Sequence, residues 1–260
     1  MRFRATIEAA GRIVEAQLGP SPESITRPVA LRTAETIAGR IDHTLLRADA
    51  TAREIERLCA EAEQYRFASV CVNSRWVPLA VSLLKGSPVM VCTVVGFPLG
   101  AMSAEAKGAE AGIAVAQGAD EVDMVIDLGG LRSGRPGDVL ADMEAVAKGA
   151  EGRPVKVILE TCLLTDEEKA IACLLALRAP VAYIKTSTGF STGGAAVDDI
   201  ILMRSAVGPA LGIKASGGVR TTADAEAMLA AGADRIGASA SVAIVTGTSA
   251  TAAVRLPAAP

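Results

Sequence analysis

The chain has 260 residues, half of them hydrophobic but only 3% aromatic, and a formal net charge of −3. That length suits one large domain as well as two small ones, and the lack of a basic stripe argues against a nucleic-acid partner. A core of Ala, Val, Ile and Leu with few rings fits strands buried on both faces, as in a parallel sheet covered by helices.

Residues 1–35 stand apart as an N-terminal extension. Ile7, Ile13, Val14 and Leu18 form a weak amphipathic pattern that predicts a helix ending at Gly19-Pro20. A turn-rich 19-GPSPES-24 follows, and Thr33-x-x-Thr36 opens a further short helical stretch. Arg2, Arg4, Glu8, Arg12 and Glu15 come without an apolar h-region, so a secretory signal is not expected.

Next, short apolar runs alternate with helical stretches. The runs are 41-IDHTLL-46, 67-FASVCV-72, 89-VMVCTVV-95, 121-EVDMVID-127, 155-VKVILET-161, 181-VAYIKT-186, 211-LGIKAS-216 and 234-DRIGAS-239. Helices are predicted near 51–65, 74–85, 103–117, 137–150, 165–177, 195–206 and 221–231. A Gly-Ala-Asp signature precedes both the fourth run (Gly118 to Asp120) and the eighth (Gly232 to Asp234), each glycine placed to end its helix. Eight strand candidates without a composition break favour a single α/β domain, a (β/α)8 TIM barrel over 36–250, with a tail at 251–260. An open doubly wound sheet is the runner-up, but no G-x-G-x-x-G follows the first strand.

The uncharged runs Gly86–Ala104 and Ile236–Val254 are broken by glycine and proline or diluted by small residues, so no membrane span is expected. The five cysteines lack any C-x-x-C spacing and read as reduced thiols of a cytoplasmic protein. His43 is the one histidine, which excludes a His-rich zinc site.

Active sites of such barrels lie at the carboxyl ends of the strands. Asp42, Asp123, Lys156, Glu160, Lys185 and Lys214 all fall within or at the end of apolar runs. On the outer wall they would face helices, where a charge is costly, so most should point toward one site. Lys185 and Lys214 belong to neighbouring strands; burial and a second ammonium both disfavour protonation, which would leave one amine nucleophilic and the other charged. Simple anion binding by both is the alternative. Period-two alternation puts Glu121, Asp123 and Val125 on one face, and Asp123 there suits a general acid/base or a counter-ion. The glycine-rich stretches 189-GFSTGG-194, 217-GGVR-220 and 237-GASAS-241 follow the sixth to eighth strands, where backbone N–H groups can cradle phosphate. N-caps at Thr221 and Ser241 are the plainer reading of such turns.

These residues carry a resemblance. The segment 183-YIKTSTGFSTGG-194 resembles the Schiff-base segment of the deoxyribose-phosphate aldolase family, 211-LGIKASGGVR-220 its second lysine motif, and 118-GADEVDMVID-127 its aspartate segment. The stretches 41-IDHTLL-46, 69-SVCVNSRWV-77, 94-VVGFPLG-100 and 155-VKVILETCLL-164 match in order. The resemblance implies a metal-free class I aldolase without cofactor. Such an enzyme reversibly cleaves 2-deoxy-D-ribose 5-phosphate to acetaldehyde and D-glyceraldehyde 3-phosphate, in carbohydrate and deoxyribonucleotide breakdown. It makes Lys185 the Schiff-base nucleophile, Lys214 the neighbour that tunes it, and Asp123 a partner in proton transfer. Gly189, Gly217, Gly218 and Ser239 would hold phosphate, while Asp42, Thr44 and Cys71 would line the pocket. A homodimer is the implied assembly. Another phosphate-binding barrel, such as a different class I aldolase or a transaldolase-like enzyme, and a non-catalytic sugar-phosphate binder are the competing readings.

The chain departs from the family pattern at three places. Ser239 is followed by Ala240 where many relatives have a second serine, and Phe190 stands where some have a lysine. The sequence ends 256-LPAAP-260, whereas some relatives end in a tyrosine used in proton transfer, a role expected here to fall to water or to be absent.

Overall fold

The computed structural model describes residues 2–22, 24–27 and 34–248. The expected tail at 251–260, with 256-LPAAP-260, lies outside the described residues, as does Thr33.

Eight short parallel strands close into a barrel in sequence order: β1 (Ile41–Leu45), β2 (Ser69–Val72), β3 (Met90–Val95), β4 (Glu121–Val125), β5 (Val155–Ile158), β6 (Tyr183–Lys185), β7 (Gly212–Ser216) and β8 (Arg235–Ala238). Closure is made by β1 against β8, with Ile41 opposite Ile236 and His43 opposite Ala238. No edge strand is left open. Helices cover the outside: α1 (Arg4–Leu18), α2 (Ala52–Tyr65), α3 (Val77–Leu83), α4 (Ala104–Ala116), α5 (Leu128–Arg132), α6 (Pro136–Gly149), α7 (Asp166–Ala176), α8 (Val197–Val207), α9 (Thr222–Ala230) and α10 (Ser241–Thr246). None is long and apolar enough to cross a membrane.

Local chemistry starts and stops these elements. Thr51 with Glu54, Thr165 with Glu168, and Thr221 with Asp224 form reciprocal capping boxes that begin α2, α7 and α9. The repeated Gly-Ala-Asp signature has a purpose beyond ending a helix. Asp120 accepts a hydrogen bond from Val91 N–H at 2.9 Å, and Asp234 accepts one from Ile213 N–H at 2.8 Å. Each aspartate therefore satisfies a backbone donor on the preceding strand of the barrel.

The sequence pattern misses two helices. The run 121-EVDMVID-127 leaves the sheet at Val125 because Asp127 caps the one-turn α5, accepting from Gly130 N–H at 2.9 Å. The α10 turn begins at Ser241 itself, so Ser241 is not its N-cap; Ala240 holds that place without a side-chain bond. The stretch from Thr36 gives only a short 3-10 turn at Ala38–Arg40.

The N-terminal helix α1 buries Ala10 and Val14 and lies along α7, with Phe3 and Ala10 packed on Ala170 and Leu202. It stops at Gly19, whose carbonyl accepts from Arg178 Nη2 at 2.7 Å. Beside it, α4 and α6 approach at backbone distance. Lys107 of α4 is fully buried there, donating to Val125 O at 2.9 Å and to Asp142 of α6 at 2.7 Å. That pair fixes the carboxyl end of β4, the strand that carries Asp123.

The α4–α6 contact admits no extra atom: a Cβ on Gly149 would lie 2.1 Å from Gly108 O. Gly149→Ala is expected to cost about 1–3 kcal/mol through overpacking, lowering the melting temperature by roughly 2–4 °C per kcal/mol. An unchanged melting temperature in calorimetry would show that the helices can part freely.

Candidate active site

The barrel interior is not purely aliphatic. Asp42, Glu121, Asp123, Lys156, Lys185, Lys214 and Arg235 are all buried there, against one another. Strand register explains the assembly. Asp123 lies opposite Lys156, Lys185 opposite Lys214, and Lys214 opposite Arg235, while Lys156 faces Tyr183, two residues before Lys185, so charged side chains from β4 to β8 converge on one interior cluster. Asp42 enters from β1, beside Gly237 of β8.

Asp123 is the hub. Its Oδ2 accepts from Lys185 Nζ and from Lys214 Nζ, both at 2.8 Å, and its Oδ1 accepts from Lys156 Nζ at 3.0 Å. Lys214 also pairs with Asp42 at 2.5 Å. Lys156 bonds Glu121 at 2.8 Å and lies 3.9 Å from Asp42. Arg235 contacts Asp42 through two nitrogens, and Glu121 at 3.2 Å; Ser69 Oγ donates to Asp42 at 2.8 Å. Four cations thus face three carboxylates, leaving one positive charge in surplus.

Burial pushes the Asp123 carboxyl up, but Lys156, Lys185 and Lys214 together hold it well below the carboxylate range. Asp42 is likewise depressed, burial being overcome by Arg235, Lys214 and Lys156. Burial alone would lower Lys214 and Lys156, yet the surrounding anions hold both above the usual lysine value. Lys214 is therefore a standing ammonium.

The loops above are laced together. Thr186 Oγ1 donates to Ser216 O and accepts from Ser216 N–H, each at 3.0 Å, while Ser216 Oγ donates to Ser187 O at 2.6 Å. Glu160, in a left-handed conformation at φ 53°, accepts from the Thr188 hydroxyl and backbone. These bonds fix the exit of β6 directly beyond Lys185. At Gly217, φ is 84°, and a Cβ on Gly194 would lie 2.3 Å from its carbonyl oxygen. Only glycines allow the two loops to pass so closely.

The other expected residues are placed as follows. Gly189 and Gly218 are exposed on the same rim as Gly217, and Ser239 is exposed just past β8. Asp42 sits below the mouth with its carboxylate taken by Lys214 and Arg235. Thr44 is half-buried and turns its hydroxyl to Asp42 O at 2.8 Å. Cys71 is buried in an apolar group with Leu46, Cys92 and Val94, against Phe97. Phe97 in turn meets the exposed Phe190 edge-on, ring centroids 5.2 Å apart.

Sequence reasoning undervalued three members. Lys156 and Glu121 were visible as charges in apolar runs, but nothing ranked them as central. Arg235 was missed because it opens its strand, where a solvated charge is ordinary. Gly237 is a fourth: a Cβ there would lie 2.9 Å from Lys214 Cε, so its missing side chain makes room for the lysine.

Cys71, Cys92 and Asp123 bring ligand atoms within 4.8 Å of one another, the one such group among the described residues. Both Asp123 oxygens are already engaged by ammonium groups, so a divalent cation would meet like charge there.

A closed (β/α)8 barrel with two lysines on one carboxylate near its mouth points to the aldolases. Residues 36–250 match the description DeoC/LacD family aldolase, and the chain belongs to that family. It is 58% identical over 214 residues to a deoxyribose-phosphate aldolase of Lysinibacillus sphaericus, covering 82% of this chain and 96% of that one. A Geobacillus deoxyribose-phosphate aldolase is similar to the same degree, 58% over 215 residues, with 82% and 96% coverage. Among solved structures, a protein from Coccidioides immitis is 40% identical with a TM-score of 0.81, over 93% of this chain and 97% of that one. The tetrameric deoxyribose phosphate aldolase of Aeropyrum pernix is 35% identical with a TM-score of 0.76, over 81% and 90%.

The network's pH response follows from these shifts. Depressed Asp123 and Asp42 contribute stability above the ordinary carboxylate pKa of about 4, lost as pH falls through their lower folded values. Raised Lys156 and Lys214 contribute below the ordinary lysine pKa of about 10.4, lost only as pH rises past their folded values. Lys156→Met removes one of the three cations on Asp123. It is expected to cost about 3–5 kcal/mol and to move the acid limb of stability to higher pH. Urea unfolding at neutral pH and between about pH 3 and 5 checks this; wild-type stability with an unmoved acid limb would contradict it.

Proposed function

We propose that this chain is a class I aldolase that reversibly cleaves 2-deoxy-D-ribose 5-phosphate to acetaldehyde and D-glyceraldehyde 3-phosphate, with Lys185 as the nucleophile. One observation carries the choice of lysine. Among the described residues, Lys156 lies within 4 Å of three carboxylates and Lys214 of two, whereas Lys185 pairs with Asp123 alone. The network therefore loses least when Lys185 gives up its proton and its place on Asp123. Asp123 keeps Lys214 and Lys156, and the surplus positive charge disappears.

In this reading the neutral Lys185 amine attacks the sugar's aldehyde carbon, and loss of water yields a protonated imine. The imine withdraws electrons as the C2–C3 bond breaks and the C3 hydroxyl gives up its proton, releasing D-glyceraldehyde 3-phosphate. The remaining enamine is protonated at carbon and hydrolysed to acetaldehyde. Asp123 and the charged Lys214 move protons through water near the imine. Gly189, Gly217 and Gly218 offer backbone N–H groups to the phosphate, joined by Ser239. Thr44 and Cys71 line the sugar side, with Asp42 holding Lys214 from beneath.

The relatives named deoxyribose-phosphate aldolase support the substrate assignment. A metal-independent enzyme acting in the cytoplasm as a homodimer completes the proposal, and light scattering decides between that dimer and a tetramer like the Aeropyrum relative.

Turnover of 2-deoxy-D-ribose 5-phosphate, coupled to detection of either product, tests the reaction. Lys185→Ala is expected to lower kcat by about 10⁴-fold or more, since covalent catalysis is removed outright. Treatment with EDTA is expected to leave the wild-type rate unchanged. Equal activity in wild type and variant would reject the mechanism, and a loss with EDTA would point to metal-assisted chemistry.

A further inference from the structure

The strand that sends Asp42 inward sends its neighbour His43 outward, into a buried contact the reaction does not use. The His43 ring is 4% exposed and lies between α2 and α10, with Phe67 at a centroid distance of 5.1 Å. Its Nδ1 is 3.0 Å from Ser241 Oγ, and its Nε2 is 2.8 Å from Glu61 Oε2.

Ser241 Oγ also donates to Ala238 O at 2.8 Å. Glu61, held below the ordinary carboxylate range first of all by its bond to His43, accepts from the ring. One ring ties α2 to the first residue of α10, and the Ser241 hydroxyl pins α10 to Ala238, the last residue of β8.

Between those two pinned residues lie only Ser239 and Ala240. We propose that His43 is a positioning residue for the substrate's phosphate, acting through Ser241 to hold the Ser239–Ala240 segment at the rim. The proposal rests on the reading of Ser239 as part of the phosphate cradle. His43 points away from the barrel interior and touches no member of the lysine network, so its effect falls on the phosphate end of the substrate and not on imine chemistry.

The test compares wild type, His43→Leu and Ser241→Ala with two sugars, 2-deoxy-D-ribose 5-phosphate and unphosphorylated 2-deoxy-D-ribose, and titrates inorganic phosphate calorimetrically. Both variants are expected to raise KM for the phosphorylated sugar, and to weaken phosphate binding, by about five- to tenfold, the size of one lost hydrogen bond. At the same time kcat for the phosphorylated sugar and kcat/KM for 2-deoxy-D-ribose are expected to stay within about twofold of wild type. Ser241→Ala removes a single oxygen and keeps the comparison open if His43→Leu folds poorly. Equal losses with both sugars, or phosphate binding as tight as wild type, would overturn the proposal. A wild type that cleaves neither sugar would defeat the aldolase reading, while the phosphate titration would still decide the role of His43.

Discussion

The carboxylate of Asp123 is shared by three lysines inside a closed barrel, and the rest of the site is arranged around that one group. Lys185 and Lys214 meet on its Oδ2 and Lys156 takes its Oδ1, all within 3.0 Å. A buried ion pair is usually a poor source of stability, because desolvation cancels much of the attraction. Its value here is positional. Asp123 holds two ammonium groups beside each other that would otherwise separate, and Asp42, Glu121 and Arg235 keep the count of charges near balance. The single cation in surplus makes a neutral Lys185 compatible with every other pairing.

The fold is what makes this arrangement affordable. Parallel register sets Asp123 beside Lys156, and Lys185 and Arg235 on either side of Lys214, and barrel closure brings Asp42 from the first strand against the last. No loop has to reach into the core. Loops supply the rim instead, where Thr186, Ser216, Thr188 and Glu160 bind one another and the glycines at 194 and 217 bring two loops into backbone contact. Charge lies in the strands and adaptability in the turns, which is the division of labour expected of a barrel enzyme.

Much of this was legible in the amino-acid sequence. The alternation of apolar runs and helical stretches placed all eight strands, and charges inside apolar runs marked most of the interior network. Period-two alternation put Glu121 and Asp123 on the face that proves to be inward. What could not be read was rank and partner. Lys156 looks like any strand lysine until register sets it against Asp123. Arg235 looks like a solvated strand start, and Gly237 like a turn glycine, until Lys214 is seen to occupy the space beside it. The expectation for the lysine pair was incomplete for the same reason. It weighed burial and the repulsion between ammonium groups, but the carboxylates that hold Lys214 charged belong to strands far away in sequence. Short helices were missed because five or six residues carry too little periodicity; Asp127 was legible as a charge but not as a cap.

The central claim is that Lys185, the least paired amine, is the one that becomes covalently attached to substrate. Incubation with acetaldehyde and borohydride, followed by peptide mapping, tests it directly. The account predicts a reduced ethyl adduct on the peptide carrying Lys185 and none on Lys214 or Lys156. An adduct on Lys214, or on no lysine of the network, would contradict it.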